Sequence, residues 1–191
     1  MTDTNRKSRN AAEDALRGGF IICTALLLGL MPVTSSASPQ VAQSLATEQD
    51  WSVFRVEDGD EQVCWIASRP TKSVAYRDDR QVDVKRGDIF LTVSVRPQDD
   101  VDGEVSFISG YPIRKGSSVS VSVGSREFDL FPEGEQAWPP SRAQDDDLVR
   151  AFKAGIDAEI EAVSHRGTRT VDTFSLLGFT AALGKARESC P

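Results

Sequence analysis

The chain of 191 residues is poor in the side chains that usually carry chemistry: it has one histidine, two methionines, two tyrosines and three cysteines. With His165 alone, a zinc site would have to rest on carboxylates or cysteines, and a histidine-based triad has no second arrangement to draw on. Ser164 stands beside that histidine, but sequence neighbours on a strand point to opposite faces, which is poor geometry for activating a nucleophile. A glycine-rich phosphate loop and a nucleophile elbow are both missing. Positive charge is also short, with 22 Lys and Arg against 29 Asp and Glu. That balance argues against nucleic acid as a partner and against an anionic membrane surface. The reading is therefore of a chain with no catalytic residues, no cofactor and no metal ligands.

The amino-terminal segment has the make-up of an export signal. Arg6, Lys7, Arg9 and Arg17 form a basic flank, and 20–30 is an apolar run broken only by Thr24 and Gly29. That run is short for a membrane span and suits a signal-peptide core, while Ser35, Ser36 and Ala37 offer small residues for cleavage. An uncleaved anchor is the competing reading. Ile22 stands before Cys23 where a lipoprotein signal would carry a small residue, so lipid attachment is set aside, and the general secretion route is expected. The expected organisation is a signal peptide over 1–37, a flexible polar tether over 38–50 and one domain over 51–191. Residues 1–37 hold four of the basic and three of the acidic residues, so the remainder carries 18 against 26, a formal charge of −8.

Inside the domain the patterning is mostly of period two. Residues 51–56 and 62–68 read as strands joined by an acidic turn with an Asp-Gly pair, a hairpin signal. Along the second run Cys64 and Ile66 share one face, and Val63 and Trp65 the other. A short strand is expected at 74–76, a charged turn at 77–80, and a half-buried strand at 89–96, with Ile89, Leu91, Val93 and Val95 inward. Residues 98–104 brush against a calcium-loop pattern but place Gln98 at the first ligand position, and Ser109 where a bidentate Glu is needed, so they read as a loop. Gly124 and Ser125 suit a two-residue turn that pairs Val119 with Leu130 and Val121 with Phe128, giving a hairpin with one apolar face and one polar face. Residues 133–140 read as a loop carrying Trp138, whose indole either packs over the core rim or stacks on a ligand. Asp145, Asp146 and Asp147 sit at the positive end of a short helix that Gly155 ends. Three consecutive aspartates point in different directions and make no metal site. Residues 156–163 favour a strand with Ile156, Ala158, Ile160 and Ala162 inward.

The last stretch organises the rest. Leu176, Phe179, Leu183, Ala186 and Cys190 recur at spacings of three and four, which places all five on one helical face. Ser175 is expected to cap this helix, with Phe174 and Phe179 closing as a hydrophobic staple. A face of that kind must be buried, and it carries Cys190 to the core, where the only plausible partner in an exported chain is Cys64. A Cys64–Cys190 disulfide would close nearly the whole domain into a loop, worth roughly 4 to 5 kcal/mol in the chain-entropy model. The alternative is two separate buried thiols. Arg166 and Arg169 flank Gly167 and have the chemistry to grip an anion; pairing with Asp172 or with carboxylates on adjacent strands is the plainer reading. Trp138, Arg166 and Arg169 are the candidate binding residues.

With these residues laid out, the chain resembles the invasion-associated locus B family of exported bacterial proteins. The likeness is carried by Cys64, Trp65 and Ile66 through Pro70, by Gly110, Tyr111, Pro112 and Ile113, and by Ala137 and Trp138. It continues in Ser164, Arg166, Gly167, Thr168, Thr170, Asp172, Phe174, Ser175, Leu176, Gly178, Phe179, Ala182 and Cys190. The resemblance implies a mainly β fold, an immunoglobulin-like β-sandwich, to which the sequence adds a short internal helix and a C-terminal helix. It implies a periplasmic, secreted or outer-membrane-associated location and brings no catalytic residues with it. The expected function is a non-catalytic envelope protein that binds another protein, in the cell envelope or on a host cell, with a role in host-cell invasion in pathogens. Membrane contact is expected only through export or peripheral association. The alternative is a housekeeping periplasmic protein that supports envelope assembly, and behind it a hydrolase or metal enzyme.

Overall fold

A computed structural model describes residues 41–58 and 61–191. The expected signal peptide, with Cys23, lies outside the described residues, as does the centre of the acidic turn. Twelve strands form one antiparallel ladder in the order β1-β2-β3-β6-β7-β10-β9-β8-β11-β12-β4-β5. They are β1 (Gln43–Glu48), β2 (Trp51–Asp58), β3 (Glu61–Ser68), β4 (Lys72–Arg77), β5 (Arg80–Val82) and β6 (Phe90–Arg96). The remainder are β7 (Val101–Ile108), β8 (Val119–Val123), β9 (Arg126–Glu133), β10 (Gln136–Trp138), β11 (Asp157–Val163) and β12 (Arg169–Ser175). Two α-helices accompany them among the described residues, α1 (Arg142–Ala154) and α2 (Phe179–Ser189).

The ladder folds over on itself, and two contacts prove it. Strands neighbour one another at about 4.8 Å, so β2 and β12, eight places apart, would be about 38 Å apart in a flat sheet. Yet the Trp51 indole N–H donates to the Ser175 carbonyl at 3.0 Å. Phe107 of β7 likewise meets Phe174 of β12 edge to face at 6.2 Å, although five places separate their strands. The handover is made by β9, which pairs with β8 through Leu130 and with β10 from Phe131 onward. The fold is thus mainly β with two helices. Its hydrogen bonding runs unbroken through β9, a coarser result than the immunoglobulin-like pair of sheets.

The period-two readings transfer well because an alternating strand has only one way to bury its apolar side. Cys64, Ile66, Leu91 and Val93 are fully buried, and Val95 nearly so. The β8–β9 register is the expected one, Val119 opposite Leu130 and Val121 opposite Phe128, with Gly124 at φ 58° in the turn. Gly155 ends α1 as expected, and Ser141 caps its start, its Oγ accepting from the Gln144 amide.

Six expectations need correction. The tether over 38–50 is in part a strand: β1 pairs along β2, with Leu45 and Ala46 packed against the core. The last helix begins at Phe179 with Gly178 at its cap position, not after a cap at Ser175. Alternation continues through β12, which buries Thr170, Asp172 and Phe174, and the chain breaks only at Gly178. Phe174 therefore packs across the core on Phe107, and no staple with Phe179 forms. Gly178 has φ 89°, and a Cβ there would lie 2.0 Å from the Glu48 carbonyl oxygen, so the turn into α2 admits only glycine. Trp138 lies in β10 rather than in a loop, because β7 and β9 both pair with that segment. The strand β7 begins at Val101, inside the region read as a loop. Ile156 is exposed, since β11 starts one residue later.

The apolar face of α2 is as expected. Phe179, Ala182, Leu183 and Ala186 are fully buried, and Leu176 just before the helix is nearly so. Phe179 sits between Trp51 of β2, with centroids 5.0 Å apart, and Phe152 of α1 at 5.4 Å, both edge to face. At the helix end Cys190 is bonded to Cys64 of β3, with the two Cα atoms 5.9 Å apart.

Candidate functional site

Three stretches meet on one side of the folded sheet: the strand-free strap 83–89, the turn 110–112 after β7, and the turn 164–168 between β11 and β12. Backbone bonds tie them. The Gly87 amide donates to the Gly110 carbonyl at 2.8 Å, the His165 amide to Pro112 at 3.0 Å, and Arg114 to Val163 at 2.8 Å. Gly110 has φ 71°, and a Cβ there would come within 2.7 Å of the Gly87 carbonyl oxygen, so the strap closes this tightly only over a glycine.

Beneath the strap lies a buried ion pair that sequence reasoning did not find. Arg86 Nη1 and Nη2 donate to the two carboxylate oxygens of Asp172 at 2.7 Å each. Their side chains are 8% and 0% exposed. Nε and Nη2 of the same guanidinium donate to the Ser109 carbonyl at 3.0 and 2.7 Å, and its Cζ lies 4.9 Å from the Tyr111 ring centroid. The Tyr111 hydroxyl shares a 2.6 Å hydrogen bond with Thr170 Oγ1. Burial pushes the Tyr111 hydroxyl above its usual pKa, and the Thr170 bond opposes that shift. Asp172 gave a usable signal, because it falls on the inward side of β12 with Thr170 and Phe174. A carboxylate there needs a buried cation. The partner was hidden because a strap without periodicity shows no inward face.

Above this network is an open cleft of about 410 Å³, whose walls include Arg77, Lys85, Tyr111, Glu135 and Arg166. The other polar groups here hold the walls together: Ser164 Oγ accepts from the Thr168 amide at 3.1 Å, Arg77 Nη2 donates to Thr168 Oγ1 at 2.8 Å, and His165 Nδ1 lies 3.3 Å from the Pro112 carbonyl.

The candidate binding residues fall in different places. Arg166 is exposed on the cleft wall with no carboxylate partner among the described residues. Arg169 points to the other side of β12, bonded to Glu161 of β11 at 2.7 Å and stacked over Tyr76 at 4.4 Å. That is pairing with a carboxylate on the adjacent strand. Trp138 is half-buried in β10, opposite the exposed Phe131.

A second cleft, about 280 Å³, opens between β7 and the start of α1. Its acids are mostly held: Asp100 by Arg142 at 2.9 Å and Asp102 by Arg187 at 2.6 Å. Asp145 turns inward, where Oδ1 accepts from the Val105 amide at 2.8 Å. Burial pushes its carboxyl up to about 6, with Glu104 and Asp146 adding to the shift and the Val105 bond opposing it. No group of three or more His, Cys, Asp or Glu among the described residues is placed to hold a metal ion. No helix among them is long and apolar enough to cross a membrane.

Of the stretches that carry the family resemblance, 110–113 and the first half of 164–190 contribute to the larger cleft, whose remaining wall comes from the strap and from Arg77 and Glu135. A family model described as invasion associated locus B (IalB) protein matches residues 51–187. No curated protein and no solved structure matches the chain.

Proposed function

The chain belongs to the invasion associated locus B family, and from that premise we propose that it is a non-catalytic exported protein of the cell envelope that acts by binding another protein. The observation that carries this reading is the use made of the polar groups around the cleft. Ser164, Thr168, Tyr111, Thr170, Arg86 and Asp172 all bond to one another or to backbone, so the groups with reactive chemistry are engaged in holding the walls. What faces outward is charge suited to recognition, from Lys85, Glu135 and Arg166, while the hydroxyl of Ser164 is taken up by the Thr168 amide. The Cys64–Cys190 bond is compatible with export, since disulfides persist outside the cytosol. Two facing layers around one core support a sandwich of the immunoglobulin-like type that family resemblance implies, an architecture that binding proteins share.

Fractionation joined to crosslinking in intact cells tests this. The expected result is a mature chain in the periplasm, outer membrane or medium, crosslinked to a defined protein. Surface shaving by protease separates a host-facing role from an internal one: removal of the chain favours invasion, and full protection favours a periplasmic partner. A cytosolic chain with both cysteines reduced would refute the reading.

A further inference from the structure

Cations and carboxylates are distributed unevenly over this molecule. Eight of the thirteen described arginines pair with a carboxylate: Arg55, Arg69, Arg86, Arg96, Arg142, Arg150, Arg169 and Arg187. Of the five that do not, Arg126 lies over Phe128 on the β8–β9 hairpin, two line the larger cleft, and the last two stand next to residues of its wall. Arg77 and Arg166 line it. Arg114 reaches to 3.0 Å from where a Cβ on Gly167 would stand, and Arg80 pairs directly opposite Arg77 across β4 and β5. Lys85 adds another cation to the wall. Among the lining acids only Glu135 faces them, since Asp172 is not part of the wall and is held by Arg86. Asp78 and Asp79 form the turn between Arg77 and Arg80 but make no ion pair with either among the described residues.

In a chain of formal charge −7 this is the opposite of random pairing. Like charges directly opposite on neighbouring strands are destabilising, so the Arg77–Arg80 pair is a local cost that a bound anion removes. The negative charge of the whole also selects among anions. An extended anionic surface is repelled by the rest of the molecule, whereas a short acidic segment within about 8 Å of the cations, one Debye length, feels mainly the cleft. A backbone edge is reached from the cleft wall through Arg77, since its cross-strand partner Arg80 begins β5, which ends the ladder with no further described strand paired to it. Edge strands accept extended peptides, and arginines give the acceptor geometry for carboxylates.

We propose that this cleft binds an extended acidic peptide segment of a partner protein, with its carboxylates seated on Arg77, Lys85 and Arg166. The inference rests on the protein-binding reading above and names the chemistry of the partner. It is tested on the oxidised mature chain with a fluorescein-labelled peptide alternating Glu and Val, a Gln-for-Glu control peptide, inorganic phosphate and phosphatidylglycerol vesicles. The Glu peptide should bind and the Gln peptide should not. Lys85→Gln with Arg166→Gln, both exposed and with no side-chain bond to the fold among the described residues, should weaken Glu-peptide binding by about tenfold or more. Arg142→Gln, at the other cleft, should leave it unchanged. Equal binding by the double variant, equal binding of the Gln peptide, or vesicle or phosphate binding without peptide binding would overturn the proposal. In cells, a crosslinked partner that the double variant still captures equally would overturn the cleft and leave the protein-binding reading standing. Absence of any protein partner would remove both.

Discussion

Breaking the Arg86–Asp172 pair should damage the fold more than removing both of its members. The guanidinium is 8% exposed and the carboxylate 0%, so neither can fall back on water when its partner goes. Arg86→Met leaves the Asp172 carboxylate without its two 2.7 Å donors; Asp172→Leu leaves a buried cation held only by the Ser109 carbonyl and the Tyr111 ring. Each single change is expected to lower unfolding free energy by about 3–5 kcal/mol, the usual loss when one member of a buried pair is removed. The double variant removes both charges and leaves mainly the Ser109 carbonyl short of donors, about 1–3 kcal/mol. Urea unfolding of the oxidised chain, followed by circular dichroism, reads these values as shifts in midpoint at constant slope. Asp172→Asn keeps one acceptor and serves as the mildest arm, near the lower end of the range. Single variants that lose under about 1 kcal/mol, or a double variant that loses the sum of the singles, would refute the argument that the strap is pinned by a desolvated pair.

Cys64→Ser with Cys190→Ser should lower stability by up to about 4–5 kcal/mol, because the bond spans 126 residues of sequence, and thiol titration of the unfolded, unreduced wild-type domain should find neither sulfur free. Phe179→Ala should lose about 3–5 kcal/mol by opening a cavity between Trp51 and Phe152, read by the same urea titration. Asp145 has its folded-state pKa raised from the ordinary 3.8 to about 6. Across that window the folded chain keeps a proton that the unfolded chain has released, so this group's contribution declines as pH rises from about 4 to 6. Asp145→Asn keeps an acceptor for the Val105 amide, and should therefore raise stability above pH 6 by about 1–2 kcal/mol, discounted for the favourable amino end of α1, and give no gain below pH 4. A gain of equal size at both pH values would sink that reasoning.

Strand faces, the β8–β9 register and the cysteine pairing were determined by the sequence itself. A period-two run has one burial solution, a two-residue turn fixes its own register, and the Cys190 face follows from helical spacing. Sequence alone does not place the start of α2, because 174–179 satisfies both a strand that is ending and a helix that is starting. Only the close approach of Glu48 to Gly178 chooses between them. For the same reason β1 was invisible: its polar alternation becomes a strand only when β2 supplies the ladder. The cleft was legible in part. Arg166 could be marked from its neighbours, but Arg86 lies in an aperiodic strap, and its partner Asp172 is 86 residues away. Local pattern sets which way a side chain faces. Which charges meet is decided by a sheet folding over itself and bringing distant strands together.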